Sequence, residues 1–140
     1  MLTLGIIKPD AVGAGKAGKV LAHLEAAGFV VRAAHMLRLS RAQAEAFYEV
    51  HRGRPFYDSL CTFMTSGPCI PLVLERAAAV SHLRKVIGAT DPAQAEPGTV
   101  RKLFAESKER NAIHASDSEE NAAREIAFFF PDSELRQLWW

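Results

Sequence analysis

The stretch Asn111-Ala112-Ile113-His114-Ala115-Ser116-Asp117-Ser118 sets an imidazole immediately ahead of a strong helix start. Ser116, Asp117 and Ser118 all carry side-chain oxygens suited to an N-cap, and Ser116 stands in capping-box spacing with Glu119. The pattern predicts a helix that begins here and runs through Ala123 to Ile126. His114 then lies where free backbone N–H groups and the positive end of a helix dipole favour an anionic partner. A neutral imidazole has a lone pair that can accept a phosphoryl group, and the phosphorylated form can give it up again. Taken alone, His114 reads more readily as an ordinary loop or core histidine than as a functional one, so the rest of the chain has to decide.

The elements that would position it follow from hydrophobic periodicity. Leu4 to Ile7 is a short apolar run ended by Lys8-Pro9-Asp10, a buried strand that emerges at a turn with Lys8 at its mouth. Gly13 followed by Gly18-Lys19 has the spacing of a phosphate-cradling P-loop, but Val20 stands where that motif needs a hydroxyl for magnesium. The glycines read instead as a flexible lead-in to a helix carrying Ala17, Val20, Leu21, Leu24 and Ala27, stopped by Gly28. Phe29 to Leu39 reads as an extended strand, and Ser40 with Gln43 forms a capping box opening a helix with Ala46, Phe47 and Val50 on one side. Pro55 suits a first helical position, and Phe56, Leu60, Phe63 and Met64 make an apolar stripe that ends at Ser66-Gly67-Pro68.

A third strand is expected over Cys69 to Leu74, with Pro71 marking an edge or a bulge. Val80, Leu83, Val86 and Ile87 give the next helix its buried side, leaving Arg84 off the stripe and free to reach elsewhere. A loop from Ala89 to Pro97 leads through Gly98-Thr99 to a short segment holding Arg101. Ala112-Ile113 begins a final strand, and Phe128-Phe129-Phe130 is an apolar plug behind the last helix. This order suggests an α+β sandwich with helices on one face of a small sheet.

At 140 residues the chain is expected to be one domain, 1–140, able to bury a core without disulfides or a structural metal. Lys+Arg 17 against Asp+Glu 16 leaves a net charge of +1, so no global field points to nucleic acid or an anionic membrane, and no specific nucleic-acid partner is expected. Cys61 and Cys69 lie in apolar surroundings without metal-site or redox spacing and read as buried thiols in a reducing compartment. Nothing approaches the roughly 20 apolar residues of a membrane span, and the start lacks a signal-peptide pattern, so the expected location is cytoplasmic.

Ile7-Lys8-Pro9-Asp10-Ala11-Val12, Arg54-Pro55-Phe56, Met64-Thr65-Ser66-Gly67-Pro68, Gly88-Ala89-Thr90-Asp91-Pro92, Pro97-Gly98-Thr99-Val100-Arg101 and the His114 stretch, in this order and at these separations, together resemble a nucleoside diphosphate kinase. The resemblance implies a ferredoxin-like βαββαβ fold with a small antiparallel sheet, which the hydrophobic pattern alone does not specify. It implies transfer of the γ-phosphoryl of a nucleoside triphosphate to a nucleoside diphosphate, ping-pong, through a phosphohistidine at His114. Carried over by position, Arg84, Thr90 and Arg101 resemble the phosphate ligands, and Lys8 and Asn111 resemble the residues that hold the ribose hydroxyl and terminal phosphate. Phe56 resembles the aromatic that stacks on the base, while Tyr48 and Glu125 match positions near the histidine, Glu125 orienting its second nitrogen. Mg2+ is implied on the nucleotide phosphates, with Asp117 touching it through water at most. A homo-oligomer, tetramer or hexamer, is implied too, and the terminal Trp139-Trp140 pair would suit an interface.

Three positions depart from the family pattern: Ala115 for glycine, Leu103 for aspartate and Lys108 for an apolar residue at the base-binding rim. Ala115 matters if its backbone needs positive φ. The main rival is a non-catalytic relative that binds nucleotides or proteins, against which the intact His114, Lys8 and Arg101 argue.

Overall fold

The computed structural model describes residues 1–136. The Trp139-Trp140 pair lies outside the described residues. Four strands, β1 (Leu2–Ile7), β2 (Val30–Ala34), β3 (Ile70–Glu75) and β4 (Ile113–Ala115), form one antiparallel sheet in the order β2-β3-β1-β4. Helices α1 (Pro9–Gly13) and α2 (Ala17–Ala26) link β1 to β2, and α3 (Arg41–Phe47) and α4 (Tyr57–Met64) link β2 to β3. Then α5 (Ala79–Ile87) and α6 (Val100–Phe104) precede β4, and α7 (Glu119–Phe129) and α8 (Asp132–Leu135) follow it. The βαββαβ arrangement is the ferredoxin-like one.

The expectation of helices on one face is corrected: both faces are covered. Val20 and Leu24 of α2 and Leu83 and Ile87 of α5 pack with Ile7, Leu72, Leu74 and Ile113 in one core. Phe47 of α3, Cys61 and Met64 of α4 and Ile126 of α7 pack with Leu4, Ile6 and Val73 in the other. The cause is visible in β1 and β3, which are buried almost without interruption rather than on alternate residues. A strand apolar on both faces has to be covered on both faces.

Several local expectations also shift. Pro71 marks no edge: β3, where it lies, is an interior strand. Proline is tolerated there because Pro71 is second in the strand, beyond the β2 pairing that runs from Val30 to Ala34, and its carbonyl still accepts the His35 N–H at 3.2 Å. The extended stretch after Phe29 carries a register shift between Val31 and Ala33 and ends as a strand at Ala34, beyond which Leu37 and Cys69 form an isolated pair. The Ser40–Gln43 capping box forms as expected, but α3 ends at Phe47 and Val50 is 74% exposed in the 3-10 turn Glu49–His51. Lys8-Pro9-Asp10 opens a short helix rather than a simple turn, with Pro9 in its first turn.

Candidate active site

A cavity of about 680 Å³ opens beside β4, between α5, α6, α7 and the start of α4. Its wall includes Lys8, Tyr48, Phe56, Arg84, Thr90, Arg101, Asn111, His114, Asp117 and Glu125, so the residues that the resemblance sets around nucleotide and metal are brought to one place. They arrive from the end of β1, the end of α3, the α4 N-terminus, α5, α6, β4 and α7.

His114 is the central residue of β4, paired with Ile6 of β1, and its ring lies 5.4 Å from Phe47 and 6.2 Å from Tyr48, both edge-on. Nε2 is 2.7 Å from Glu125 Oε1, and the same oxygen accepts from Ser116 Oγ at 2.8 Å. Burial alone would raise the Glu125 pKa, but the hydrogen bonds from His114 and Ser116 outweigh it and hold the carboxyl below its usual range. An ionised Glu125 takes a proton from a donor, which assigns the imidazole proton to Nε2 and the lone pair to Nδ1. Burial lowers the His114 pKa, opposed by Glu125 and reinforced by the cations of Lys8 and Arg101. The ring is therefore neutral at pH 7.

The site's cations are costly to keep without an anion. Lys8 is only 6% exposed, and burial, with repulsion from Arg101, pushes its pKa down to about 8. Arg101 is pushed down to about 10 by burial and by Arg84. Its guanidinium is held by the carbonyls of Gly88 (3.1 Å) and Ile113 (2.8 Å), and Nε has no partner among the described residues. Arg84 Nη1 donates to the Ala115 carbonyl at 3.2 Å. Gly88 makes the Arg101 contact possible, because it sits at φ 89° and a Cβ there would come within 2.6 Å of Thr99 Oγ1. A polyanion entering the cavity relieves this repulsion, which is the electrostatic complement phosphoryl chemistry requires.

Asn111 binds on both sides: Lys8 Nζ donates to its Oδ1 at 2.8 Å, and its Nδ2 donates to the Thr90 carbonyl at 3.4 Å. The turn behind it is tight. Ile113 N–H donates to the Asn111 carbonyl at 2.9 Å across Ala112, whose φ is 72°, a strained γ-turn geometry costing about 1–3 kcal/mol for a non-glycine residue. Ala115, by contrast, is an ordinary strand residue paired with Gly5, so alanine in place of glycine carries no positive-φ strain.

Phe56 does not join the core stripe expected of it: it is 47% exposed at the cavity mouth, while Cys61, Phe63 and Met64 are buried. An exposed ring on a cavity wall is available for stacking. Lys108 also lines the cavity, and Leu103 lies on the exposed side of α6. Tyr48 is buried with its hydroxyl unpartnered among the described residues, and burial raises its pKa. Asp117 is exposed, and Asn121 Nδ2 holds it at 2.6 Å.

Of the three cap candidates Ser116, Asp117 and Ser118, it is Ser118 that caps the helix, accepting from Asn121 N–H at 3.1 Å, while Ser116, which has the capping-box spacing, is buried against Glu125. His114 is accordingly on a strand, not at the helix start. Asp10 is buried and accepts the Ala112 N–H at 3.0 Å, a link across the sheet that no spacing rule indicates.

Fold and site together place the chain among ferredoxin-like α+β proteins that gather cations and an oriented histidine around an anion cavity. Comparison with known proteins narrows this. The chain matches the family model described as nucleoside diphosphate kinase over residues 2–135. It is 55% identical over 133 residues to the nucleoside diphosphate kinase of Chlorobium chlorochromatii, covering 95% of both chains, and 50% identical over 138 residues to that of Anaeromyxobacter, covering 99% of this chain and 94% of the relative. The solved structure of Aquifex aeolicus nucleoside diphosphate kinase superposes with a TM-score of 0.93 at 44% identity, covering 95% of this chain and 96% of that one. The Halobacterium salinarum enzyme, solved in complex with CDP, gives 0.91 at 38% identity, covering 96% and 90%. The chain belongs to the nucleoside diphosphate kinase family, and with its relatives it is a phosphotransferase.

Proposed function

We propose that the chain passes the γ-phosphoryl of a nucleoside triphosphate to His114 Nδ1 and then to a nucleoside diphosphate, in ping-pong fashion, and so maintains NTP and dNTP pools. The observation that carries this reading is the pairing of Nε2 with Glu125, which leaves Nδ1 with its lone pair in a cavity lined by Lys8, Arg84 and Arg101. In the first half-reaction Nδ1 attacks the γ-phosphorus, the bond to the β,γ-bridging oxygen breaks, and the diphosphate leaves with the electron pair. The second half reverses this onto a new diphosphate. Nε2 keeps its proton, donated in a hydrogen bond to the Glu125 carboxylate, which balances the charge that the ring acquires. Lys8, Arg84, Arg101, Thr90 and Asn111 hold phosphate and ribose oxygens, and Phe56 stacks on the base, a contact that accepts any base.

Mg2+ supplies charge neutralisation on the phosphates. Asp117, an exposed carboxylate on the wall, could reach such an ion through water, the ion's own ligands being phosphate oxygens and water. We read the chain as one domain, working in the cytoplasm as a symmetric tetramer or hexamer; no helix among the described residues is long and apolar enough to cross a membrane. The test of the mechanism is labelling with [γ-³²P]ATP. Acid-labile, base-stable radiolabel on His114 that is chased off by GDP supports it, and an active enzyme that never carries label removes the covalent step.

A further inference from the structure

We propose that Asp10 is a positioning residue for phosphoryl transfer: its carboxylate holds the Ala112 N–H and thereby sets the turn that carries Asn111 and His114 into the site. The inference rests on the reading of His114 as the phosphoryl relay.

The turn Asn111-Ala112-Ile113 is gripped from the Lys8–Asp10 segment, 102 residues earlier in the chain at the Asp10 contact. Lys8 N–H donates to the Ala112 carbonyl at 2.9 Å, Lys8 Nζ donates to Asn111 Oδ1 at 2.8 Å, and Asp10 Oδ2 accepts from Ala112 N–H at 3.0 Å. Both ends of one alanine are thus held in a conformation alanine does not favour, with φ 72°. Ala112 is fully buried, so its N–H has no recourse to water if Asp10 is removed. Relaxation of Ala112 toward an extended conformation turns the peptide that precedes it, which moves Asn111. It also shifts the start of β4, where His114 lies only two residues on.

Besides this hydrogen bond, the Asp10 carboxylate favours the charged form of Lys8, against the burial that disfavours it. Its other oxygen, Oδ1, is buried with no partner among the described residues. Its place in the first turn of α1 fixes its backbone, the Ala14 N–H closing onto the Asp10 carbonyl at 3.0 Å. The carboxylate is therefore a short, rigid strut between the mouth of β1 and the strand that bears the histidine. What matters in such a strut is an acceptor at the right length, more than the charge it carries.

The comparison of Asp10→Asn, Asp10→Glu and Asp10→Ala separates length, charge and acceptor. Single-turnover labelling of His114 from [γ-³²P]ATP is the rate measured, with the folded fraction fixed by circular dichroism. Asn keeps an acceptor of the same length and should label within about threefold of the parent, a change worth less than about 1 kcal/mol. Glu and Ala should label about tenfold to a hundredfold more slowly, the size expected when a reacting group is displaced by about 1 Å. The loss should fall on kcat more than on KM, and hydrogen exchange should show the Ala112 amide losing protection in the Ala variant while β1 and β3 amides keep theirs. Parent-like labelling by Asp10→Ala, or Asp10→Asn as slow as Asp10→Ala, overturns the proposal. Should Asp10→Ala fail to fold, Asn against Glu decides, and a fast Glu variant beside a slow Asn variant overturns it. If the parent protein itself carries no label on His114, the phosphohistidine reading fails, while Ala112 amide protection in the Asn and Ala variants still reports on the strut.

Discussion

Lys8 allows the electrostatic reasoning to be tested with a number. Its pKa falls from 10.5 to about 8 on folding, so in the folded, nucleotide-free protein the ammonium is disfavoured by about 3 kcal/mol at neutral pH. The sign follows from proton counting. Between pH 8 and 10.5 the unfolded chain binds the Lys8 proton and the folded chain does not, so this contribution to stability is complete above pH 10.5 and is lost as pH falls through 8. Lys8→Met removes the titration. At pH 7 the variant escapes the charge-burial cost but leaves Asn111 Oδ1 without its 2.8 Å donor, a loss of about 1–3 kcal/mol, so the two proteins should be of similar stability there. On raising the pH toward 10.5 the parent should gain about 3 kcal/mol relative to the variant. Urea denaturation of both proteins at a series of pH values measures this difference directly. Nucleoside diphosphate should restore the charge, so binding near pH 9 should take up a proton in the parent and none in Lys8→Met, read by calorimetry in buffers of different ionisation enthalpy. A stability difference that stays flat from pH 7 to 10.5, or binding without proton uptake, refutes the picture of Lys8 as a strained cation awaiting phosphate.

His114→Ala should lower kcat by several orders of magnitude while leaving nucleotide Kd nearly unchanged, measured by coupled assay and equilibrium binding, since loss of a nucleophile removes a step rather than a contact. Phe56→Ala should weaken all nucleoside diphosphates alike, by about 1–3 kcal/mol, the worth of one base–aromatic stack; selective damage to one base would point to an edge-reading contact. Lys19→Ala should keep parent turnover because Lys19 is exposed on α2, and a large loss would return the glycine stretch to consideration as a phosphate loop. Activity should hold on acidification to below pH 6.5, since burial lowers the His114 pKa; a fall centred above 6.5 in the kcat profile would contradict that direction.

What the chain settles locally could be read from it directly. The Ser40–Gln43 capping box, the Gly28 and Gly88 stops, the apolar side of α5 and the placement of Arg84 off that side depend on residues three or four apart, and all of them appear in the structure. The pairing of Lys8 with Asn111 and the strut from Asp10 to Ala112 depend on residues more than a hundred positions apart, about which spacing says nothing. Ser116 shows how the two compete. As a local pattern it is as good a cap as Ser118, but its N–H donates to the Leu4 carbonyl at 3.1 Å, which carries the β4 pairing one residue further and turns its hydroxyl to Glu125. Sheet pairing and a buried carboxylate outweigh a cap worth about 1 kcal/mol, and the helix waits for Ser118. Phe56 shows the same from the other side: the helical stripe assigns it to the core, and only the packing of α4 leaves it on the cavity wall. Residue types and spacing therefore determined which groups the protein has for its chemistry. The tertiary contact that brings Glu125 of α7 against Nε2 of His114 on β4 decided which ring nitrogen faces the carboxylate, because orientation within a site is set by contacts that only the folded chain makes.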